Sequence, residues 1–208
     1  MSLKLRHKRI SLLSKKWKLR KINPLITSYK INEDFFEEFK FNIKLYISKA
    51  LKIKFDLDNN KFIKNIDKAR NNRLNITPNG AIVPKREFHL EYNLVLRSWC
   101  ELVKQMSYKD PKLLKLFRIT PNIRIKFGKE LKDNKSRSLS TSHPHSDAWV
   151  EGPWGMNCFI PFFGDTNKNT LKFFEPKSGF KESFLKLSPS YKDMQWVMDY
   201  YKPIKNLK

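Results

Sequence analysis

Cysteine is scarce in this sequence, which contains only Cys100 and Cys158 among its 208 residues. Residues 1–21 are basic and lack the apolar core and small-residue cleavage site of a secretion signal. Two isolated cysteines in a chain without such a signal favour buried thiols over a disulfide. We therefore expect a protein of the reducing cytoplasm.

Long apolar runs are also missing. No stretch approaches the roughly 18 to 20 apolar residues that a membrane span requires, so we expect no membrane partner. Internal repeats and Gly/Ser-rich linkers are absent as well. The hydrophobic content of 40% and the aromatic content of 13% are instead typical of a folded globular protein with a substantial core.

Acidic residues are few: the chain has 20 Asp and Glu residues against 43 Lys and Arg residues, which gives a net charge of +23. Such an excess ordinarily suggests nucleic acid or an anionic membrane surface as a partner. Most of the positive charge is lysine, however, accompanied by abundant Asn and Ile, as an AT-rich genome produces in any protein. We therefore do not expect nucleic acid as a partner, and we interpret residues 1–30 as a basic, solvated N-terminal arm.

The first half of the chain carries helical signals. Asn32 is a suitable N-cap, and Glu33 and Asp34 follow in the first turn, where the helix dipole favours acids. Apolar side chains then recur every three or four positions over residues 35–47, which predicts an amphipathic helix. A second helix is predicted after Pro84, with a buried face formed by Phe88, Tyr92, Val95, Trp99, Leu102, Val103 and Met106.

Short strands are predicted in the second half. Apolar residues alternate with Arg124 and Lys126 over residues 123–127, the period of a half-buried strand. Apolar runs at residues 156–163 and 171–174 predict two further strands. Helices followed by several short strands favour a mainly β fold with helices (α+β), in which helices pack outside a jelly-roll barrel.

A metal-binding pattern lies among these strands, in the segment SHPHSD at residues 142–147. Residues i and i+2 of a strand point to the same face, so His145 and Asp147 can present an imidazole and a carboxylate to one point. These groups are two corners of the 2-His-1-carboxylate triad that holds Fe(II). The bare tripeptide favours a surface turn in which Asp147 caps a backbone amide. The strand-rich surroundings and the following Trp149 favour the metal site.

A family resemblance is carried by residues 140–176, which read STSHPHSDAWVEGPWGMNCFIPFFGDTNKNTLKFFEP. This segment resembles the core of Fe(II)/2-oxoglutarate-dependent oxygenases, above all the phytanoyl-CoA-hydroxylase-like branch and its relatives in streptomycin-type and carbohydrate biosynthesis clusters. The resemblance implies a double-stranded β-helix (jelly roll, cupin-like) preceded by a helical N-terminal region. It also implies that His145 and Asp147 bind Fe(II), that 2-oxoglutarate is the cosubstrate, and that O2 is used to hydroxylate a small-molecule substrate, possible classes being carbohydrates and secondary metabolites.

The resemblance also implies a domain layout, with one oxygenase-like domain at residues 31–208 after the basic arm. Within it, residues 31–118 form a helical support and residues 119–208 an incomplete β-helix core. Members of the family complete the triad with a second, later histidine and bind 2-oxoglutarate with a basic residue shortly after it. No histidine follows His145 here. We therefore expect a chain truncated at its C-terminus; the alternatives are an inactive member or, less favoured, one that uses His143 as a ligand.

Three further residues are candidates for the cosubstrate pocket: Arg124, Trp149 and Asn157. Arg124 is suited to meet a carboxylate, or equally to lie on the outer face of its strand. Asn157 is suited to donate to a carboxylate, and Trp149 to exclude water, although a buried Trp is more often core. Two other functional classes stay open: a different cupin-type metal-dependent enzyme, and a non-catalytic basic protein that binds polyanions.

Overall fold

The computed structural model describes residues 3–16, 19–23, 26–72, 74–77, 80–108, 117–127, 156–165, 174–176 and 201–203. The α-helices in these ranges are α1 (Leu3–Lys16), α2 (Glu33–Leu51), α3 (Asn59–Ala69) and α4 (His89–Ser107). The strands are β1 (Arg20–Asn23), β2 (Ile26–Ser28), β3 (Phe174–Pro176) and β4 (Tyr201–Pro203). A single 3-10 turn, Arg86–Phe88, leads directly into α4.

The chain divides into two compact units. The terminal unit comprises residues 1–28, 140–161 and 170–208, and the helical unit comprises residues 29–139 and 162–169. In the terminal unit, β1 and β2 form an antiparallel hairpin in contact with α1, and β3 pairs antiparallel with β4. The expected division into a basic arm and one following domain stays a prediction.

Helix α2 begins where the sequence predicts. Asn32 has an extended backbone, and its side-chain oxygen accepts a 3.1 Å hydrogen bond from the Phe35 amide, which satisfies one of the open donors of the first turn. Glu33 and Asp34 occupy that turn. At the other end Lys52 adopts a left-handed conformation, and the Ile53 amide donates to the Ser48 carbonyl, as in a Schellman-type termination.

Helix α4 confirms the second predicted helix and packs along α2. Of the predicted face, Phe88, Val95 and Leu102 are fully buried, whereas the other four side chains are half-buried. The core of the helical unit consists of Phe39, Ile43, Tyr46, Ile47, Ala50, Leu51, Phe62, Ile66, Ile82, Phe88, Val95 and Leu102. Helix packing therefore supplies the core of this unit.

Helix α3 and two phenylalanines cover one end of this core. Asp58 caps α3 by accepting a 2.8 Å hydrogen bond from the Lys61 amide, and Phe62 is fully buried. The Phe162 ring stacks on Phe36, with 5.4 Å between centroids and an interplanar angle of 4°, and Phe163 lies 5.1 Å from Phe62. These two rings anchor the segment 162–165 on the helices.

The expected mainly β jelly-roll fold is wrong. Across the described ranges, helices hold most of the regular structure, and the strands are three or four residues long and paired only in twos. The run 156–163, predicted as a strand, has no regular secondary structure. Its Phe162 and Phe163 rings pack on helices instead, and a short apolar run alone does not distinguish such an anchor from a buried strand.

No helix in the described part of the chain combines the length and the apolar character that a membrane span requires.

Candidate functional site

The predicted metal ligands His145 and Asp147 lie outside the described residues, as do His143 and Trp149. Their assignment to an iron site therefore stays a prediction from sequence. Within the described ranges, no group of three or more His, Cys, Asp and Glu side chains has the arrangement of a metal site.

Arg124 lies on a small arrangement of three extended segments in the helical unit. Residue Ile76 forms an antiparallel bridge with Ile82, and Ala81 forms one with Arg124. The Ile82 amide donates to the Ile123 carbonyl at 2.9 Å, and the Ile125 amide donates to the Gly80 carbonyl at 2.8 Å. The predicted strand at 123–127 is therefore reduced to a bridge, because its hydrogen-bonded partner extends only over residues 80–82.

The side chain of Arg124 is exposed on the solvent side of this arrangement. Side chains at 123, 125 and 127 are half-buried and those of Arg124 and Lys126 are exposed, so the predicted alternation holds even without a long strand. Arg124 and Lys126 thus lie on the same side, two residues apart. The pKa of Lys126 is below its ordinary value, first because neighbouring protein desolvates its ammonium group and second because of the Arg124 charge. Two adjacent cations of this kind favour an anionic group such as a carboxylate.

Gly80 fixes the backbone beside Arg124. It has φ +86°, a region that favours glycine, and its amide donates to the Thr77 carbonyl at 2.8 Å to close a turn. A Cβ atom built at Gly80 would overlap the Ile125 carbonyl oxygen. Glycine is therefore needed at this position both for its conformation and for the close approach of the two chain segments.

Asn157 lies in the terminal unit, within residues 156–161, which have no regular secondary structure. Its side chain is exposed. The neighbouring Cys158 is a free thiol in an exposed residue, where nearby protein desolvates the sulfur and raises its pKa, and Cys100 is a half-buried free thiol. Phe159 is 53% exposed. This part of the resembling segment is therefore accessible to solvent.

Lys44 is a buried cation that the sequence analysis missed. It lies on α2, only 4% of its surface is exposed, and its ammonium group donates to the Leu57 carbonyl. The same ammonium lies 5.5 Å from the centroid of Phe62 and 5.8 Å from that of Phe163, within the range of cation–π attraction. Burial, followed by the charge of Lys40, lowers the pKa of Lys44 below its ordinary value.

Lys40, one helical turn before Lys44, is held by comparable contacts. Its ammonium donates to Glu37 at 2.9 Å and lies 5.9 Å from the Phe36 centroid. A signal in the sequence could have revealed both lysines, because positions 36, 40 and 44 recur at i+4 beside the apolar stripe. Their partners are a carbonyl, a carboxylate and aromatic rings, so these lysines tie α2 to its surroundings and present no open reactive amine.

No known family matches the chain, and neither the curated proteins nor the solved structures contain a match.

Proposed function

We propose that the chain is an Fe(II)- and 2-oxoglutarate-dependent oxygenase that hydroxylates a polar small molecule. The observation that carries this proposal is the pair His145 and Asp147 within residues 140–176, the segment that resembles the core of that family. The proposal rests on this segment and not on the jelly-roll fold, which the structure overturns.

The donor atoms that His145 and Asp147 provide suit Fe(II). A neutral imidazole nitrogen and a carboxylate oxygen are two of the three protein donors that mononuclear Fe(II) takes in oxygenases, and the remaining positions stay open for 2-oxoglutarate and O2. When bound, iron and 2-oxoglutarate supply the oxidising power for hydroxylation. The task of His145 and Asp147 is to hold the metal with that open side toward the substrate.

Within the resembling segment, we assign Asn157, whose side chain is exposed, as a donor to the 2-oxoglutarate carboxylate and Trp149 as the residue that excludes water. For Arg124, the same role stays a prediction from the sequence. Its exposed guanidinium has Lys126 beside it, and guanidinium groups bind carboxylates in a bidentate fashion.

Metal binding tests the proposal most directly, because it needs no knowledge of the substrate. We expect the chain to bind Co(II), a surrogate for Fe(II), in calorimetric titration, and to bind it weakly because the sequence supplies only two of the three protein ligands. His145→Ala and Asp147→Ala should each weaken the affinity at least about tenfold, because each removes a direct ligand. His89→Ala is the matched control, since His89 is exposed and its Nδ1 lies 2.8 Å from the Arg86 carbonyl. Equal affinities in the His89 and His145 variants would refute the metal site.

Cosubstrate binding tests the role of Arg124 separately. With Co(II) present, Arg124→Ala should weaken 2-oxoglutarate binding about tenfold or more, and Arg124→Lys should recover part of it because a charge remains without the bidentate fork. Arg97→Ala is the control, because Arg97 is also exposed but lies on α4. Unchanged 2-oxoglutarate affinity in Arg124→Ala would remove Arg124 from the site and leave the metal proposal standing.

A further inference from the structure

The charge of the chain is divided unevenly along the sequence. The first 32 residues contain ten of the 43 Lys and Arg residues and none of the 20 Asp and Glu residues; the first acid is Glu33, at the start of α2. An AT-rich genome enriches lysine throughout a protein but does not remove acids from one segment. Composition therefore does not account for this segregation.

Much of this basic segment is folded. Residues Leu3–Lys16 form α1, and β1 and β2 follow as a hairpin in contact with it. Ser14 marks the inner side of α1, since it is buried and its hydroxyl donates to the Ile10 carbonyl at 2.6 Å. The Leu19 amide donates to the Ser14 carbonyl at 2.8 Å, which ties the helix end to the hairpin. The cations of α1 are thus carried on a regular backbone.

The exposed face of α1 is cationic. Lys4, Lys8, Lys15 and Lys16 are all exposed, and the helical period of 3.6 residues places them within one arc of about 120° that does not include Ser14. From Lys4 to Lys15 the helix rises about 16 Å, a length that spans several phosphates of a nucleic-acid strand. Leu12, 60% exposed, lies among these lysines.

We infer that α1 is a docking surface for the phosphate backbone of double-stranded nucleic acid, independent of the proposed oxygenase site. A duplex fits better than a single strand, because single-strand binding uses aromatic platforms and α1 contains no Phe, Tyr or Trp. It also fits better than a membrane surface, because interfacial helices insert a broad apolar face, whereas the described cationic face of α1 exposes one leucine. This inference replaces the expectation, drawn from composition, that nucleic acid is not a partner.

The test is the binding of the full chain to a fluorescent 20-base-pair duplex of mixed sequence, as DNA and as RNA, followed by anisotropy across a salt series. One variant carries Lys4→Gln, Lys8→Gln, Lys15→Gln and Lys16→Gln. The matched control carries Lys54→Gln, Lys61→Gln, Lys64→Gln and Lys68→Gln, four exposed lysines of the helical unit. Gln and Lys have similar helix propensity, so α1 should persist, as circular dichroism will verify.

We expect the α1 variant to lose at least about tenfold in duplex affinity at 0.1 M salt, and its slope of log K against log salt to become shallower by about 3 to 4. The four Lys→Arg substitutions at the same positions should restore binding. The control should retain most of its affinity, and an equal loss in both glutamine variants would overturn the inference. So would an α1 variant that binds the duplex normally but loses binding to vesicles containing phosphatidylserine. Preference between the DNA and RNA arms identifies the type of duplex.

Discussion

Asn42 on α2 and Ser98 on α4 form a buried hydrogen bond between the two longest helices described, with 2.9 Å from the Asn42 side-chain nitrogen to the Ser98 hydroxyl oxygen. Both residues are buried. A polar pair in such surroundings fixes the rotation and offset of the helices, because sliding either one would leave both groups without a partner.

A double-mutant cycle measures this pair. We expect Asn42→Ala to lower the free energy of unfolding by about 1–3 kcal/mol, because it leaves the Ser98 hydroxyl buried without its partner. Once Asn42 is alanine, Ser98→Ala should cost little more, which gives a coupling of about 1 kcal/mol. Asn60→Ala, at an exposed position of α3, is the control. If urea denaturation shows that the stability losses of Asn42→Ala and Ser98→Ala add up in the double variant, the hydrogen bond does not couple the helices.

Substitution of Gly80 and of Gly164 by alanine distinguishes the cost of backbone strain from the cost of steric overlap, because both glycines have positive φ. Gly80 (φ +86°) and Gly164 (φ +94°) share the conformation, but a Cβ at Gly164 would meet no atom within 4 Å. Gly164→Ala should therefore cost only the conformational strain, about 1–2 kcal/mol. Gly80→Ala should cost about 1–3 kcal/mol more, because the Ile125 backbone must move. Equal melting temperatures for the two variants would contradict the close approach at Gly80.

The burial of Lys44 predicts a pH dependence of stability. Its pKa in the folded protein is below the ordinary value of 10.5, so between these two pKa values the unfolded state binds more protons. The contribution of Lys44 to the free energy of unfolding should therefore increase as the pH rises toward 10.5. Lys44→Met removes this contribution, and its difference in free energy of unfolding from the unmodified protein should change as the pH rises from the lowered pKa of Lys44 toward 10.5 in urea titrations.

Lys49→Met is the control for the Lys44 prediction, because Lys49 lies on the same helix and is exposed. Its pH profile serves as the reference for removing an exposed lysine from the same helix. Parallel pH profiles of the Lys44 and Lys49 variants would show that the Lys44 ammonium is not desolvated in the folded protein.

Tyr46 predicts a stabilising substitution. It is fully buried, its ring lies 5.7 Å from Phe88 and 5.2 Å from Tyr92, and its hydroxyl has no hydrogen-bond partner among the described residues. A buried hydroxyl without a partner is destabilising, so Tyr46→Phe should raise the free energy of unfolding by about 1 kcal/mol. Tyr46→Leu, which also removes the ring contacts, should lower it. A loss of stability in Tyr46→Phe would mean that the hydroxyl has a partner elsewhere in the chain.

Tyr46→Phe should also change the pH at which the protein unfolds in alkaline solution. Burial raises the pKa of Tyr46 in the folded protein, so above the ordinary value of 10 the unfolded state releases a proton that the folded state retains. Stability is therefore lost as the pH rises through 10. We expect Tyr46→Phe to resist alkaline unfolding to a higher pH than the unmodified protein.

The sequence predicted those parts of the fold that depend on local signals. Asn32 and the stripe after it locate α2, because an N-cap and a 3.6-residue period act within one element. Helix α3 was not anticipated, since only Phe62 and Ile66 form its buried face and the rest of the segment is polar. The packing of Phe162 on Phe36 is a long-range contact without a local signature, and this run was misread as a strand.

The candidate site was predictable to a smaller extent. Sequence spacing suggested His145, Asp147 and Trp149 but provides no coordinates, and these residues lie outside the described ranges. For Arg124 the sequence left two orientations open, and the structure places its side chain on the exposed side. The sequence does not indicate the burial of Lys44, because a lysine beside an apolar stripe ordinarily extends its charge into water.

The enclosure of Lys44 has a practical consequence for a chain so rich in lysine. Amine-reactive reagents require an accessible, unprotonated amine, and Lys44 is enclosed by two phenylalanine rings and a backbone carbonyl. In mass-spectrometric labelling it should be acylated far more slowly than the exposed lysines, and as fast as they are once α2 and α3 separate. The protein thus contains an intrinsic chemical reporter of opening of its core.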